Sequence, residues 1–160
     1  GAGIERVPSP ELRLDLERIA DAARRSGARI AWICDPNNPT GSLIDPDEWA
    51  AFLDALPPGC LAAFEFRHAS WFDEPVFSVL RARRVALCIA EDENLATPLE
   101  PTTDWGYLRL RRQDYAEEDL LRWAERIRMQ PWREAYVFFK HEEEGKGPAL
   151  AEALAKISAT

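Results

Sequence analysis

The sequence is poor in the residues that build metal-bound, disulfide-stapled and membrane-spanning proteins. It carries three cysteines and two histidines in 160 residues, and Cys34, Cys60 and Cys88 form no CxxC pair. A structural zinc needs four clustered ligands, so no metal is expected. The odd, scattered thiols read as buried cysteines of a reducing, cytoplasmic compartment. No apolar run approaches the ~20 residues of a membrane-spanning helix, and no leader peptide is visible, which sets aside a membrane partner. Lysine is confined to Lys140, Lys146 and Lys156, so nearly all positive charge is arginine. The net charge of -8 sets aside nucleic acid, whose phosphates need a basic face. The chain opens Gly-Ala-Gly with no initiator methionine, which reads as a fragment or a trimmed chain.

What is present is the composition of an ordinary globular domain, 46% apolar and 30% charged, with length enough for a single core. Helical and strand patterns alternate along it. Asp15 caps an expected helix with the stripe Leu16, Ile19, Ala20, Ala23, ended by Gly27. The run 30–34 reads as a short strand. Asp45-Pro46-Asp47-Glu48 is a helix start, with a cap, a first-turn proline and acids at the positive dipole end. Strands are expected at 61–66, 85–90, 106–111 and 135–140, with helices at 74–83, around Leu120–Ile127, and 148–157. The acidic run Glu142-Glu143-Glu144 reads as a solvated turn.

Five strands separated by helices predict one α/β domain over 1–160 with a mostly parallel sheet. A purely sequential strand order would place every right-handed crossover helix on one face. The other face would then expose apolar surface at about 25 cal/mol per Å². The expected remedy is the order 2-1-3-4-5, a flavodoxin-like sandwich with helices on both faces and helix 15–26 covering the second. The alternative is a half TIM-barrel that pairs its open faces in a homodimer; the sandwich favours a monomer. Trp32, Phe52, Leu53, Phe64, Leu87, Leu108, Ile127 and Phe138 are the expected core.

Two stretches carry family resemblances. The strand 29–34, the motif Asp35-Pro36-Asn37-Asn38-Pro39-Thr40-Gly41 and the helix holding Trp49 resemble the fold-type-I aminotransferases, most closely the histidinol-phosphate aminotransferase group. The resemblance implies that Asn38 would hydrogen-bond the phenolic oxygen of pyridoxal phosphate. The family's next strand brings an aspartate to the pyridine nitrogen, where this chain has Ala63-Phe64-Glu65-Phe66-Arg67-His68. None of the three lysines lies in the context of the Schiff-base lysine, and a pyridoxal enzyme needs that aldimine. No cofactor is expected, and Asn38 reads as vestigial in a strand-to-helix turn.

From about residue 60, Ala63–Phe72, Val85–Ala90, Tyr107-Leu-Arg-Leu-Arg111 and Tyr136–Pro148 resemble the YecE-like family, domain-of-unknown-function family seventy-two, which implies the last four strand–helix units of a TIM barrel. The change of resemblance at the start of a strand predicts a chimera or designed recombinant.

Ligands of parallel α/β sheets bind beyond the carboxyl ends of the strands. Those ends offer Asp35, Asn37 and Asn38; Glu65, Arg67 and His68; Glu91 and Asp92; Arg109 and Arg111; Lys140 and His141. Glu65, Arg67, His68 and Arg109 are the candidate site residues, suited to a small anionic or polar ligand or to proton transfer. Against this stands the plainer reading that strand ends must turn polar and that mixed charges pair off. The expected functions are therefore a catalytically silent α/β domain, or a small-molecule binder or enzyme using this rim, or, more weakly, an aminotransferase fragment.

Overall fold

A computed structural model describes residues 3–28, 30–37, 40–56, 59–91, 94–140 and 145–159. The chain divides into two compact units, Gly1–Cys60 and Leu61–Thr160.

The first unit is built on two helices. Helix α1 spans Leu16–Ser26. The Asp15 carboxylate accepts a hydrogen bond from the Arg18 amide at 3.0 Å, satisfying one of the orphan donors of the first turn. Gly27 closes the helix at φ 64°, a left-handed conformation that costs a residue without Cβ nothing. Helix α2, Pro46–Asp54, starts on the Asp45 side chain, which accepts from the Asp47 amide at 2.8 Å. The two helices pack together, with Leu16 and Ala22 of α1 buried. Ahead of α2, the Asp35 carboxylate accepts from the Ile44 amide at 3.0 Å and the Trp49 indole N–H at 2.8 Å, fixing the turn to the helix.

The expected strand at 30–34 does not form among its described residues. Ile30 and Trp32 are 69% and 77% exposed, so Trp32 is not core. The reason is pairing. A strand persists only where another satisfies its amides and carbonyls, and among its described residues this unit offers no partner strand. Cys34 and Cys60 are exposed as well, against the expectation of three buried thiols; Cys88 alone of the three is buried.

The second unit carries the sheet. Strands β1 (Ala63–Phe64), β2 (Ala86–Glu91), β3 (Trp105–Leu110) and β4 (Glu134–Phe139) pair in parallel in the order β1-β2-β3-β4. Helix α3 (Glu74–Arg83) follows β1, α4 (Glu117–Arg128) follows β3, and α5 (Lys146–Ser158) follows β4. The sheet is therefore four-stranded and sequential, and the five-stranded 2-1-3-4-5 sandwich is not formed. Strand 30–34 was to supply the reversal of order, and it stays out of the sheet. A sequential run of parallel strands and crossover helices is the wall of a TIM-barrel-like fold.

Alternation sorts the side chains onto two faces. Leu87 and Ile89 of β2 and Leu108 and Leu110 of β3 are buried at 3% or less on the side where α3 packs on β2 and α5 on β4. Phe77 and Leu80 of α3, Leu120, Trp123 and Ala124 of α4, and Leu154 of α5 complete this core. Glu91 lies on the same face, accepting from the Tyr115 hydroxyl at 2.9 Å and the Trp123 indole at 3.2 Å. Gly106 is there because the Trp132 ring occupies the space of a side chain: a Cβ would meet Trp132 Cε3 at 2.5 Å.

Strand β1 is much shorter than the expected 61–66. Further along β2, the Thr97 backbone amide donates to the Ala90 carbonyl at 2.9 Å and the Thr97 hydroxyl accepts from the Ala90 amide at 3.2 Å, so these Ala90 groups are not open to β1. Thr102 works likewise at the other end of β2, accepting from the Leu87 amide at 2.9 Å and donating to the Val85 carbonyl at 2.7 Å. Phe138, expected in the core, is 48% exposed because it lies on the opposite, non-helical face of β4.

Candidate functional site

The register of the sheet places the site. Ala63 pairs with Ala86, so Glu65 follows two residues on, beside Cys88, and Cys88 in turn pairs with Tyr107. Ala90 pairs with Arg109, and Arg109 with Phe138. These residues share the non-helical face, at and just before the carboxyl ends of the strands.

Glu65 is the centre of the cluster. Its Oε1 accepts from Arg67 Nη2 at 3.0 Å and Arg111 Nη1 at 3.3 Å. Its Oε2 accepts a short hydrogen bond from Arg109 Nη1, with the Cys88 thiol 4.0 Å away. The side chains of Glu65, Arg109 and Arg111 are 15%, 24% and 16% exposed, whereas Arg67 is 68% exposed. Charge-assisted bonds at this depth are less screened than those on an open surface. Burial pushes the Cys88 thiol up to about 12, and the negative charge of Glu65 adds to the effect. Cys88 is thus a neutral donor and no nucleophile at physiological pH.

Next to Arg109 on the same face, the Tyr107 and Phe138 rings lie 5.1 Å apart, tilted by 35°. Trp105 meets Tyr136 edge-on at 6.0 Å. Burial raises the Tyr107 phenol above its usual range, and the Tyr136 hydroxyl donates to the Glu134 carboxylate at 3.1 Å. Reading strands by period two, with their pairing, would have found these rings; reading them as generic core did not.

Of the sequence-derived candidates, Glu65, Arg67 and Arg109 come together, joined by Arg111. His68 does not join them: its Nδ1 lies 2.8 Å from the Ser70 hydroxyl and accepts from the Ser70 amide at 3.2 Å, capping the short 3-10 turn Ala69–Trp71. Asp35 and Asn37 serve the turn before α2, where Asn37 Nδ2 donates to Thr40 Oγ1 at 2.8 Å. Glu91 faces the helices, not the rim. Asn38, Asp92 and His141 lie outside the described residues. No group of three or more His, Cys, Asp or Glu side chains suited to a metal is found among the described residues.

The cluster can hold an anion. Arg67 and Arg109 each present further guanidinium N–H groups beyond the one bonded to Glu65. Glu65, with both oxygens engaged, holds these arginines in place.

Comparison with known proteins bears on fold and family. A crystal structure of a DUF72 family protein from Enterococcus faecalis V583 is 13% identical with a TM-score of 0.64, covering 91% of this chain and 68% of that one. Another, from Thermotoga maritima MSB8, is 21% identical with a TM-score of 0.55, covering 71% and 51%. At these identities the likeness is one of fold. Partial matches also reach a histidinol-phosphate aminotransferase of Geobacillus sp. (strain WCH70), 36% identical over 78 residues, and an aromatic amino acid aminotransferase of Mycobacterium avium (strain 104), 38% identical over 65. They cover 47% and 41% of this chain but 21% and 18% of those proteins, so the chain spans about a fifth of their length. A family model described as "Protein of unknown function DUF72" matches residues 39–160. The match starts before residue 60 and takes in α2, so the family reaches further toward the amino terminus than the motif resemblance alone suggests. A match over that much of the sequence settles membership: the chain belongs to the DUF72 family.

Proposed function

We propose that the strand-end rim of Glu65, Arg67, Arg109 and Arg111 binds a small anionic ligand. One observation carries the reading: three guanidinium groups converge on a single carboxylate. Arg67 and Arg109 share that carboxylate side by side, and a bound phosphate or carboxylate would add a second acceptor for their remaining N–H groups. Glu65 is a positioning residue here, holding the arginines in register before the ligand arrives. Thermal melting in rising inorganic phosphate tests this, with sodium chloride at matched ionic strength as control. The expected result is a saturable rise in Tm, abolished in Arg109→Gln and weakened in Arg67→Gln. A phosphate curve that overlays the chloride curve would sink the proposal.

A second reading, a catalytically silent domain, is favoured by the engagement of both Glu65 oxygens and of His68. The Glu65 oxygens and His68 Nδ1 serve local hydrogen bonds. It also carries the finer proposal that an aminotransferase-derived segment precedes the rim-bearing strands, supported by the motif 35–41 and by the short aminotransferase matches; the reach of the family model to residue 39 weighs against a junction at 60. On this reading Asn38 is vestigial, and mixing with pyridoxal phosphate gives no stable visible absorption band. A band that survives gel filtration and vanishes when one lysine is replaced would overturn it.

A further inference from the structure

We infer that the anion this site takes is an aromatic one, with its phosphate or carboxylate at Arg109 and Arg67 and its ring on the Tyr107–Phe138 surface. The inference rests on the anion-binding reading above and goes beyond it by naming the ligand class. Three features lead to it. First, Arg109 lies directly between the two parts: it bonds Glu65 on one side and pairs in register with Phe138 on the other. Secondly, Phe138, next to last in β4 at the end of the strand order, is 48% exposed, with Tyr136 at 40%. A large ring left open beside a cation offers an apolar contact for a planar group whose anion the cation holds. Thirdly, Tyr107 and Phe138 are 5.1 Å apart at a 35° tilt. A further ring can join such a pair by offset stacking or edge-to-face contact, which favours a planar ring over an aliphatic group of equal size.

The charges agree with a ligand anionic at one end only. The guanidinium groups lie toward the carboxyl ends of the strands, and at the far end of the rings the Glu134 carboxylate accepts from the Tyr136 hydroxyl at 3.1 Å, which repels a second negative charge. A ligand charged at both ends would place one charge on those rings and lose its hydration there.

Titration calorimetry with three probes, inorganic phosphate, methyl phosphate and phenyl phosphate, tests the inference on the full chain. Phenyl phosphate is expected to bind at least about tenfold more tightly than methyl phosphate, each tenfold being about 1.4 kcal/mol. Phe138→Ala should erase that ratio and leave methyl phosphate binding unchanged. Phe138→Leu, which keeps an apolar side chain but removes the ring face, should reduce the ratio as well and guards against an alanine variant that fails to fold. If methyl and phenyl phosphate bind alike, or the ratio survives both substitutions, the aromatic assignment fails while the anion site stands. If none of the three probes binds, both fail. A Phe138 variant that changes the mass of the particle in solution while leaving the ratio intact would show that a second copy of the chain covers the rings, and would likewise overturn the assignment.

Discussion

Leu87 and Cys88 are neighbours in β2 with different duties. Leu87 points to the helices at 3% exposure, and truncation to alanine is expected to cost about 2–5 kcal/mol through lost burial and a residual cavity. Denaturant titration measures this directly. Cys88 points the other way, toward Glu65, and its thiol is lifted from an ordinary 9.0 to about 12. A raised folded-state value means the unfolded chain loses its proton first. Stability is therefore unaffected by this group below about pH 9 and declines between about 9 and 12 as the unfolded state ionises. Unfolding curves for the protein and Cys88→Ala at pH 8 and pH 10.5 should diverge in slope, with the alanine variant less pH-sensitive. Thiol labelling of the native protein should modify Cys34 and Cys60 and spare Cys88.

Among the elements, α3 ends unusually. Arg84 takes the left-handed conformation at φ 56°, ψ 39°, and the Val85 amide donates back to the Leu80 carbonyl at 2.9 Å. The same closing role in α1 falls to Gly27. A residue with a Cβ is strained in that conformation, so Arg84→Gly is expected to raise stability by up to about 1 kcal/mol in a thermal or denaturant melt; a loss would mean that the Arg84 side chain contributes contacts of its own. The helices were the legible part of this chain. Asp15 and Asp45 each cap where the sequence places them, and a cap is a local interaction whose partners lie two or three residues away. Strands were legible only where a partner exists. Residues 85–90 and 135–140 were found nearly to the residue, while 30–34 has the right composition and no strand to pair with. The limits of β1 could not be read from its own residues, because pairing with β2 defines them and a loop residue, Thr97, occupies the Ala90 end of that edge. In the site, Glu65, Arg67 and Arg109 were legible because strand ends and charge coincide there. The aromatic surface was missed because facing requires register, and register is a property of two strands together.

For the molecule as a whole, a net charge of -8 surrounds a local knot of arginines. Like charge over most of the surface opposes self-association, and light scattering at moderate salt is expected to report a monomer. A dimer that dissociates on replacing Phe138 would instead place a second copy on the open face of the sheet. The sequential strand order has a further consequence, for kinetics. Every strand of the sheet finds its neighbour in the very next strand along the chain, so no pairing has to wait for a distant segment. Parallel sheets owe their slow folding to the entropy of closing long loops before any contact rewards it. Here each closure spans a single connection, a helix after β1 and β3 and a loop after β2, and residues 61–160 can grow by accretion from β1 toward β4, in the direction in which a ribosome would deliver them.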